Sequence, residues 1–283
     1  MRMSSILKRV ARRIRKRMSL TSHAISADAF LISYPKSGRT WFRFLLSQYF
    51  AGVAGEGEAV NLHNMFSIIP NYDLDGIRGI PAFRFENGQI PKILVSHLEY
   101  RTSHFLMRPA ILMIRDPRDV LVSAYFHATR HKHRFDGNID AFIEDAIQGA
   151  PSLIDYLNGW ASGLQRRRHH ILSYEDLSAD PSRHTRNVLQ FLGCTVDDVN
   201  LEKAVRAAQF DAMQSRERVE GIPAHDYDRS DDESLRMRRG KAHGFMDYLS
   251  AKQAERILQL CRLRLSPGAK DLVSHSGLDL RST

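Results

Sequence analysis

The sequence predicts an α/β fold in which one domain holds a central parallel sheet flanked by helices. Four short apolar stretches, at 30–33, 92–96, 111–114 and 170–174, are each followed by a polar turn and then a helix-favouring stretch. This alternation is typical of strand and helix units that build a parallel sheet with helices on both faces. The length of 283 residues and the apolar fraction of 43% suit a single domain that buries a full core.

Helical periodicity fills the intervals between the predicted strands. We predict helices over 41–50, 120–129, 138–147, 152–167, 183–192, 199–210 and 251–265. Pro117 and Asp119 are the residue types expected where the second of these helices begins, and Gly193 ends the fifth. The sequence shows no internal repeat.

A polar loop lies between the first predicted strand and the first predicted helix, within the stretch 31–41 that reads LISYPKSGRTW. Gly38 lets the backbone approach a ligand, and the first N–H groups of the following helix lack internal partners. Further charge and hydrogen-bond donors come from Lys36, Ser37, Arg39 and Thr40. We predict a P-loop-NTPase-like corner with a modified phosphate loop, because the lysine precedes the glycine and the second Walker glycine is missing. An ordinary strand-to-helix turn is the alternative.

Two later stretches offer similar chemistry. Arg115 follows a predicted strand, and with Ser123 on the next helix it can hold an anion, although Arg115 can equally pair with Asp116 or Asp119. The stretch 237–244 reads MRRGKAHG and places three cations between or beside two flexible glycines. Three separate stretches with anion-binding chemistry suggest a nucleotide with phosphate groups at both ends.

His97 directly follows the predicted strand at 92–96, at the end of the strand where chemistry gathers in open α/β sheets. It is therefore a candidate general base. A structural or exposed histidine is the alternative, and Glu99 on the same loop is a rival base that can assist or replace it.

Most of the net charge of +9 belongs to the N-terminal tail. The first 20 residues contain eight Lys and Arg and no acid, so the rest of the chain carries about +1. Residues 1–25 are predicted as a basic extension and 26–283 as the folded domain. In the extension an apolar stripe at helical spacing fits a helix on an anionic membrane, while a solvated or disordered tail and a transit peptide are the alternatives. The nearly neutral remainder argues against nucleic-acid binding.

Three loop segments have open interpretations. The segment 61–91 combines prolines and glycines with Phe66, Tyr72, Phe83 and Phe85, and is either an apolar pocket wall or an ordinary loop. The basic cluster at 131–134 is either a solvated turn or an acceptor contact. The polar segment 211–239 is either a mobile lid or a surface loop.

The sequence resembles the cytosolic-type sulfotransferases from about residue 30 to residue 249. The stretch 34–41, YPKSGRTW, is similar to their 5'-phosphosulfate loop, and the stretch 115–123, RDPRDVLVS, is similar to their 3'-phosphate motif. The C-terminal RRG at 238–240, with Gly244, resembles the family's Arg-Lys-Gly loop, and YED at 174–176 and FDAM at 210–213 match in order and spacing. The resemblance implies a P-loop-type α/β fold.

The resemblance also implies that 3'-phosphoadenosine 5'-phosphosulfate (PAPS) donates a sulfuryl group to a hydroxyl or amine and leaves as adenosine 3',5'-bisphosphate (PAP). The residues implied for the 5' end of the donor are Lys36, Ser37, Gly38, Arg39 and Thr40. Those implied for the 3'-phosphate are Arg115, Ser123, Arg238, Arg239 and Gly240. Those implied for the adenine are Trp41, Tyr174 and Phe210. The expected catalytic residues are His97, Lys36 and Ser123.

Four departures from the family pattern concern individual contacts. Glu99 replaces a proline near the base, the lysine that usually assists the base is missing, Arg39 stands where threonine is usual, and Ala208 stands where a threonine normally meets the adenine. No metal ion is expected, because a sulfuryl group carries less charge than a phosphoryl group.

The expected partner is a small-molecule acceptor, and the aromatic segment 61–91 favours an apolar alcohol, a phenol or a glycolipid. A second copy of the chain and a membrane surface bound through residues 1–20 are left open as further partners, and no nucleic-acid partner is expected. The two cysteines, Cys194 and Cys261, suit a reducing compartment, so the expected location is the cytoplasm, with peripheral membrane attachment as an alternative. The alternative functions are a P-loop-type kinase and a non-catalytic protein that binds nucleotides or docks on membranes.

Overall fold

A parallel sheet forms the centre of the molecule. The computed structural model describes residues 18–72, 78–85, 88–223, 227–238 and 240–280. In these residues the strands are β1 (Ala29–Ser33), β2 (Ile93–Ser96), β3 (Ala110–Ile114) and β4 (His169–Ser173). They pair in the order β2-β1-β3-β4, and every pairing is parallel. The predicted α/β fold with a parallel sheet is confirmed.

β1 lies between two partners, since Leu31 is in register with Val95 of β2 on one side and with Ile111 of β3 on the other. The chain therefore leaves β1 toward one side of the sheet and later returns to its other side. In open α/β sheets such a reversal opens a crevice beyond the carboxyl ends of the strands, where ligands bind. The fold places this crevice after Ser33.

Helices connect and cover the strands. Their bounds are α1 (Arg39–Val53), α2 (Thr102–Phe105), α3 (Pro117–Phe126), α4 (Ile139–Glu144), α5 (Ala150–Leu164), α6 (Tyr174–Ala179), α7 (Pro181–Phe191), α8 (Asp198–Ala207), α9 (Phe210–Glu220), α10 (Ala251–Arg264) and α11 (Pro267–Ser274). Each predicted helix has a counterpart whose ends differ by a few residues. One π-helical turn, His127–His131, continues directly from α3.

The sequence did not predict α2, α6, α9 and α11. The segment 211–239 was interpreted as a polar lid or a surface loop, but its first part is α9, in which Met213 and Glu217 are both buried. These two residues lie four positions apart and so share one face of the helix. The helical pattern was hidden because one of its two buried members is a carboxylate.

β1, β2 and β3 are buried on both faces, which explains their continuous apolar sequences, whereas β4 is buried only at its C-terminal end. Phe30 and Ile32 of β1 point to a core that includes residues of α5, α10 and α11. Leu31, between them in sequence, points to a second core that includes residues of α1, α7 and α8. Helices therefore pack on both sides of the sheet, and polar chemistry is confined to its edge.

Residues 18–25 are helical and pack on the domain. Leu20 and Ala24 are buried, and the hydroxyl of Tyr72 donates a hydrogen bond of 2.7 Å to the carbonyl of Leu20. Residues 1–17, which hold most of the predicted membrane-binding stripe, lie outside the described residues. Within the described ranges no helix is both long enough and apolar enough to span a bilayer.

Candidate active site

A cavity of about 650 Å³ lies at the carboxyl edge of the sheet. Residues that follow all four strands line it: Lys36 after β1, His97 after β2, Arg115 after β3 and Tyr174 after β4. Small-molecule sites typically have volumes of about 300–1,000 Å³. The topology therefore brings residues from four distant stretches of sequence into one ligand-sized cavity.

The first corner is built around Gly38. This residue precedes α1 with φ 91° and ψ 5°, and no side chain caps the helix. A Cβ atom at Gly38 would lie only 2.4 Å from Cδ2 of Tyr174, so both the backbone angle and the close approach require glycine. Ser37 is buried, while Arg39 and Thr40 are half-buried at the cavity wall. The uncapped N-terminus of α1 is thus available to an anion.

Lys36 also has a left-handed backbone, with φ 74°, and its side chain lines the cavity. The pKa of Lys36 is lowered to about 7, mainly by removal from water and then by the nearby cations Arg236, Arg238 and Arg115, while Glu217 opposes them. Burial disfavours the charged form of an amine, and an anionic neighbour favours it. Lys36 is therefore poised to gain a proton when an anion enters the cavity.

Aromatic rings form a slot beside the first corner. The indole Nε1 of Trp41 donates a hydrogen bond of 2.6 Å to the carbonyl of Ala208, and the ring centroids of Trp41 and Tyr174 are 5.7 Å apart. Phe210, the third ring, lies against Gly240, where a Cβ atom would come within 2.0 Å of the phenyl carbons. Such a slot suits a planar, uncharged ring, and it is the place where the resemblance puts the adenine.

The second corner joins the cavity through Arg115. Its guanidinium Cζ lies 4.1 Å from the ring centroid of Tyr174, and its Nη1 donates a hydrogen bond of 3.4 Å to the carbonyl of Lys36. Arg115 also pairs with Asp119, at 3.5 Å, as the sequence alternative suggested. Its Nε is buried with no hydrogen-bond partner in the described part of the chain. The two corners are therefore in direct contact, and one donor of Arg115 is left for a ligand.

Asp119 holds the C-terminal loop against the second corner. Its buried carboxylate accepts hydrogen bonds of 2.8 Å and 2.7 Å from the backbone N–H groups of His243 and Phe245. The sequence predicted that Asp119 would begin a helix, but it did not predict this link across more than a hundred residues. Ser123, on the same helix, is half-buried and lines the cavity.

Arg238 lines the cavity but already has partners. Its Nη1 lies 2.9 Å from Oε2 of Glu233, and its guanidinium stacks between Phe126, at 4.1 Å, and Tyr248, at 4.4 Å. A phosphate at Arg238 would share this guanidinium with the Glu233 carboxylate. Arg239, predicted to contact the same phosphate, lies outside the described residues.

His97 has a defined orientation. Its Nδ1 lies 2.6 Å from the backbone carbonyl oxygen of Ser33. A carbonyl oxygen can only accept a hydrogen bond, so Nδ1 carries the hydrogen and donates it. Nε2 is left with its lone pair. Burial, followed by the charges of Arg39 and Arg43, lowers the pKa of His97 well below its usual value. The imidazole is therefore neutral at physiological pH and able to accept a proton.

Glu99, the rival base, is exposed but lines the same cavity. Of the aromatic residues noted in segment 61–91, Phe66 lines the cavity, whereas Tyr72, Phe83 and Phe85 pack in the two cores. From the basic cluster at 131–134, Lys132 and Arg134 line the cavity. Part of each segment therefore lines the cavity, and the acceptor contact of the basic cluster stays a prediction.

Several cavity residues were not singled out from the sequence. Arg43 is buried on α1, bonded at 2.5 Å to Oδ1 of Asn71 and stacked 4.7 Å from the ring centroid of Phe66. Arg236 is surrounded by protein beside the cavity, next to the buried carboxylate of Glu217. The i,i+4 spacing of Arg39 and Arg43 places them on one helical face and was the available signal for Arg43. Nothing in the sequence distinguished Arg236 from a surface arginine.

The site thus combines an uncapped helix N-terminus with a lysine, an aromatic slot, a second guanidinium corner and a neutral imidazole in one cavity. Such a constellation is typical of a nucleotide-dependent group transferase. Comparisons with known proteins agree with this class.

The family profile described as Sulfotransferase domain matches residues 26–271. Human sulfotransferase 2A1 is 24% identical over 257 residues, covering 87% of this chain and 86% of the relative. Mouse sulfotransferase SULT7A1, solved in complex with PAP, superposes with a TM-score of 0.61 at 20% identity, covering 87% of this chain and 88% of the other. Retinol dehydratase, solved with androsterone and the inactive cofactor PAP, gives a TM-score of 0.61 at 19% identity, covering 85% of this chain and 81% of the other.

The profile match spans most of the chain, so this protein belongs to the sulfotransferase domain family and is a sulfotransferase.

Proposed function

We propose that the protein transfers a sulfuryl group from PAPS to a hydroxyl of a small acceptor by in-line displacement, with His97 as the base. The observation that carries this proposal is the fixed imidazole. Nδ1 is held by the carbonyl of Ser33, so the basic Nε2 belongs to the cavity that also contains Lys36. An amine acceptor would use the same arrangement.

His97 supplies acid–base catalysis. An attacking hydroxyl must lose its proton as the new S–O bond forms, and the lone pair of Nε2 accepts that proton. The hydrogen bond from Nδ1 to the carbonyl of Ser33 stabilises the imidazolium that results, because a cationic N–H donor forms a stronger hydrogen bond than a neutral one. The low pKa of His97 keeps the base unprotonated and ready to accept the proton of the acceptor.

Lys36 supplies electrostatic catalysis at the leaving oxygen. When the S–O bond of the donor breaks, negative charge grows on the departing phosphate of PAP. A protonated Lys36 and the uncapped N-terminus of α1 stabilise this charge without rearrangement. Ser37, Arg39 and Thr40 complete the loop around the same end.

The other proposed donor contacts divide between the adenine and the 3'-phosphate. Trp41, Tyr174 and Phe210 form the aromatic slot for the base, and Ala208 contributes its carbonyl to holding Trp41. The proposed 3'-phosphate contacts are Arg115, Ser123, Arg238, Arg239 and Gly240. The buried, unpartnered Nε of Arg115 supports this role because an anion would satisfy it.

The acceptor is proposed to present an apolar body to the cavity. Met65, Phe66, Phe142, Tyr156 and Ile222 contribute apolar surface to its walls. An alcohol, a phenol or a lipid-like molecule fits such walls, and we propose cytoplasmic action on acceptors that enter from water or from a membrane surface.

The direct test compares transfer from labelled PAPS with transfer from ATP, each with and without magnesium, over a panel of hydroxyl and amine acceptors. We expect turnover with PAPS alone and no requirement for magnesium. Magnesium-dependent transfer from ATP would identify a kinase instead. PAP binding without turnover of any acceptor would identify a non-catalytic nucleotide-binding protein.

A further inference from the structure

One face of helix α9 meets the C-terminal loop, which contains three of the residues proposed to contact the 3'-phosphate. Phe210, Gln214 and Glu217 lie at positions i, i+4 and i+7 of this helix and therefore share one face. Each of them contacts the described part of the loop. The helix therefore supports the loop over about two turns.

Glu217 holds the beginning of the loop by its backbone. The side chain is buried, and its Oε1 accepts hydrogen bonds of 2.7 Å from the N–H of Arg236 and 2.6 Å from the hydroxyl of Tyr227. Its Oε2 accepts a hydrogen bond of 2.8 Å from the N–H of Met237. A buried carboxylate is costly unless hydrogen bonds compensate it, and here both oxygens have donors. The contact between helix and loop is therefore a specific one.

Gln214 and Phe210 continue this contact toward the start of the helix. Nε2 of Gln214 donates a hydrogen bond of 2.8 Å to the carbonyl of Met237. The ring of Phe210 lies so close to Gly240 that a Cβ atom there would come within 2.0 Å of it. Earlier residues of α9 thus contact later residues of the loop, so the helix and the loop run antiparallel along their contact.

These contacts fix the backbone on both sides of Arg238. Side chains of α9 hold the loop at Met237, before Arg238, and at Gly240, after it. The guanidinium of Arg238 is oriented separately, by its ion pair with Glu233 at 2.9 Å. Further along, Asp119 holds the loop by two backbone N–H groups. A loop whose backbone is already ordered loses less conformational freedom when it binds a phosphate.

We propose that Glu217 and Gln214 are positioning residues that pre-organise the C-terminal loop for the 3'-phosphate of the donor, and so set the preference for a 3',5'-bisphosphate over a 5'-monophosphate. The inference rests on the proposed function, which takes PAPS as the donor. Neither side chain is among those that line the cavity, so both act through the loop. Because Phe210 of the same helix is proposed to contact the adenine, α9 links the adenine contact to the 3'-phosphate contacts.

The test compares two nucleotides that differ only in the 3'-phosphate. PAP and adenosine 5'-monophosphate share the adenine, the ribose and the 5'-phosphate, so the ratio of their dissociation constants measures the contribution of the 3'-phosphate. The wild-type protein should bind PAP about 100-fold more tightly or better, as expected from several charge-assisted hydrogen bonds.

Glu217→Gln keeps the shape of the side chain but replaces one acceptor oxygen with an NH₂ group, which cannot accept from a backbone N–H. We expect this variant to weaken PAP binding about tenfold and to weaken adenosine 5'-monophosphate binding less than about threefold. With labelled PAPS, KM for the donor should rise about tenfold while kcat changes less than about threefold. A merely structural role of Glu217 would weaken both nucleotides alike or neither.

Two further variants complete the design. Gln214→Leu removes one hydrogen bond at a half-buried position and no charge, so it decides the question if Glu217→Gln does not fold. It should weaken PAP about threefold and leave adenosine 5'-monophosphate unchanged. Glu220→Gln is the matched control, because this carboxylate belongs to the same helix but accepts a 2.8 Å hydrogen bond from the N–H of Leu62, away from the loop. It should keep the wild-type ratio.

An unchanged ratio in both Glu217→Gln and Gln214→Leu would overturn this inference while the sulfotransferase stands. Equal losses for the two nucleotides, or a ratio that falls as far in Glu220→Gln, would overturn it too. If the wild-type protein binds PAP no more tightly than adenosine 5'-monophosphate and transfers nothing from PAPS, the proposed function itself fails.

Discussion

At the scale of single residues, His97 is the position where a backbone contact determines chemistry. The carbonyl of Ser33 selects the tautomer, and burial, followed by the charges of Arg39 and Arg43, lowers the pKa and keeps the ring neutral. The sequence placed a histidine at the end of a strand, but the partner that orients it lies 64 residues earlier and became visible only in the folded chain.

The first prediction concerns the base. His97→Ala should lower kcat by about 100-fold or more, the typical contribution of a general base, while PAP affinity changes by less than about threefold. Because the pKa of His97 lies well below 6.5, the wild-type rate should not fall through protonation of this residue between pH 7 and 6. Steady-state kinetics and titration with PAP check both parts. A near-normal rate in the variant would transfer the role to Glu99, and Glu99→Gln is the variant to compare.

The second prediction concerns Lys36. The surrounding protein lowers its pKa to about 7, and an anion next to the amine raises that value. PAP binding should therefore take up close to one proton at pH 8, and the affinity should weaken as pH rises through 7 toward the pKa of the bound state. Calorimetry in buffers of different ionisation enthalpy measures this uptake.

Two substitutions control for Lys36. Lys36→Arg keeps a permanent charge, so PAP should bind with little proton uptake from this position. Lys36→Ala should lower turnover by about 100-fold or more because the leaving oxygen loses its cation. Unchanged proton uptake in Lys36→Arg would show that another group titrates.

At the scale of elements, hydrogen bonds between the loops hold the parts of the candidate site together. The second corner and the C-terminal loop meet at Asp119, and the first and second corners meet at the contact between Arg115 and the carbonyl of Lys36. Sequence motifs identified the three stretches separately. They did not reveal these two contacts, which we call joints, because each one pairs a side chain with a distant backbone group.

The third prediction tests the Asp119 joint. Asp119→Asn keeps the shape of the side chain but replaces one acceptor oxygen with an NH₂ group that cannot accept from the backbone. We expect a loss of about 1–3 kcal/mol in the free energy of unfolding, and a PAP affinity lowered about tenfold, because the loop that includes Gly240 is no longer held. Denaturant unfolding and PAP titration measure these effects. Asp136→Asn, at an exposed position, is the matched control. Equal stability in both variants would contradict the joint.

At the scale of the whole molecule, the parallel sheet was predictable and the composition of the cavity was not. Buried parallel strands leave continuous apolar stretches that can be recognised in sequence, as at Ala110–Ile114. The helix α9 was missed because its buried face contains Glu217, and Arg236 was missed because a buried arginine and a solvated one look identical in sequence. The motif residues could be identified because their spacing, and not their burial, is distinctive.

The fourth prediction concerns how the free energy of unfolding changes with pH when no ligand is added. Burial lowers the pKa of His131 to about 3, against 6.5 for an unperturbed histidine. The unfolded chain therefore binds more protons than the folded one below pH 6.5, so stability should fall as pH decreases from 6.5 to 5, by up to about 2 kcal/mol from this residue. Glu175 works in the opposite direction, because its pKa is raised to about 7 and its contribution is lost as pH rises from 4.5 to 7.

Chemical denaturation at pH 5, 6 and 7 gives the slope. His131→Gln should make the acid-side decrease smaller by the contribution of this residue, and His133→Gln, at an exposed position, should leave it unchanged. If both variants keep the wild-type slope, His131 is not the group responsible.

The chain contains two tryptophans, one in the wall of the cavity and one bonded to the residue that follows His97. Trp41 stands in the aromatic slot with its indole bonded to Ala208, while the buried Trp160 donates a 3.1 Å hydrogen bond to the carbonyl of Leu98, directly beyond His97. The molecule thus comes with two intrinsic fluorophores, one beside the place proposed for the nucleotide and one beneath the loop that bears the imidazole. Replacing either indole with phenylalanine would allow the emission from each end to be followed by itself, without any attached label.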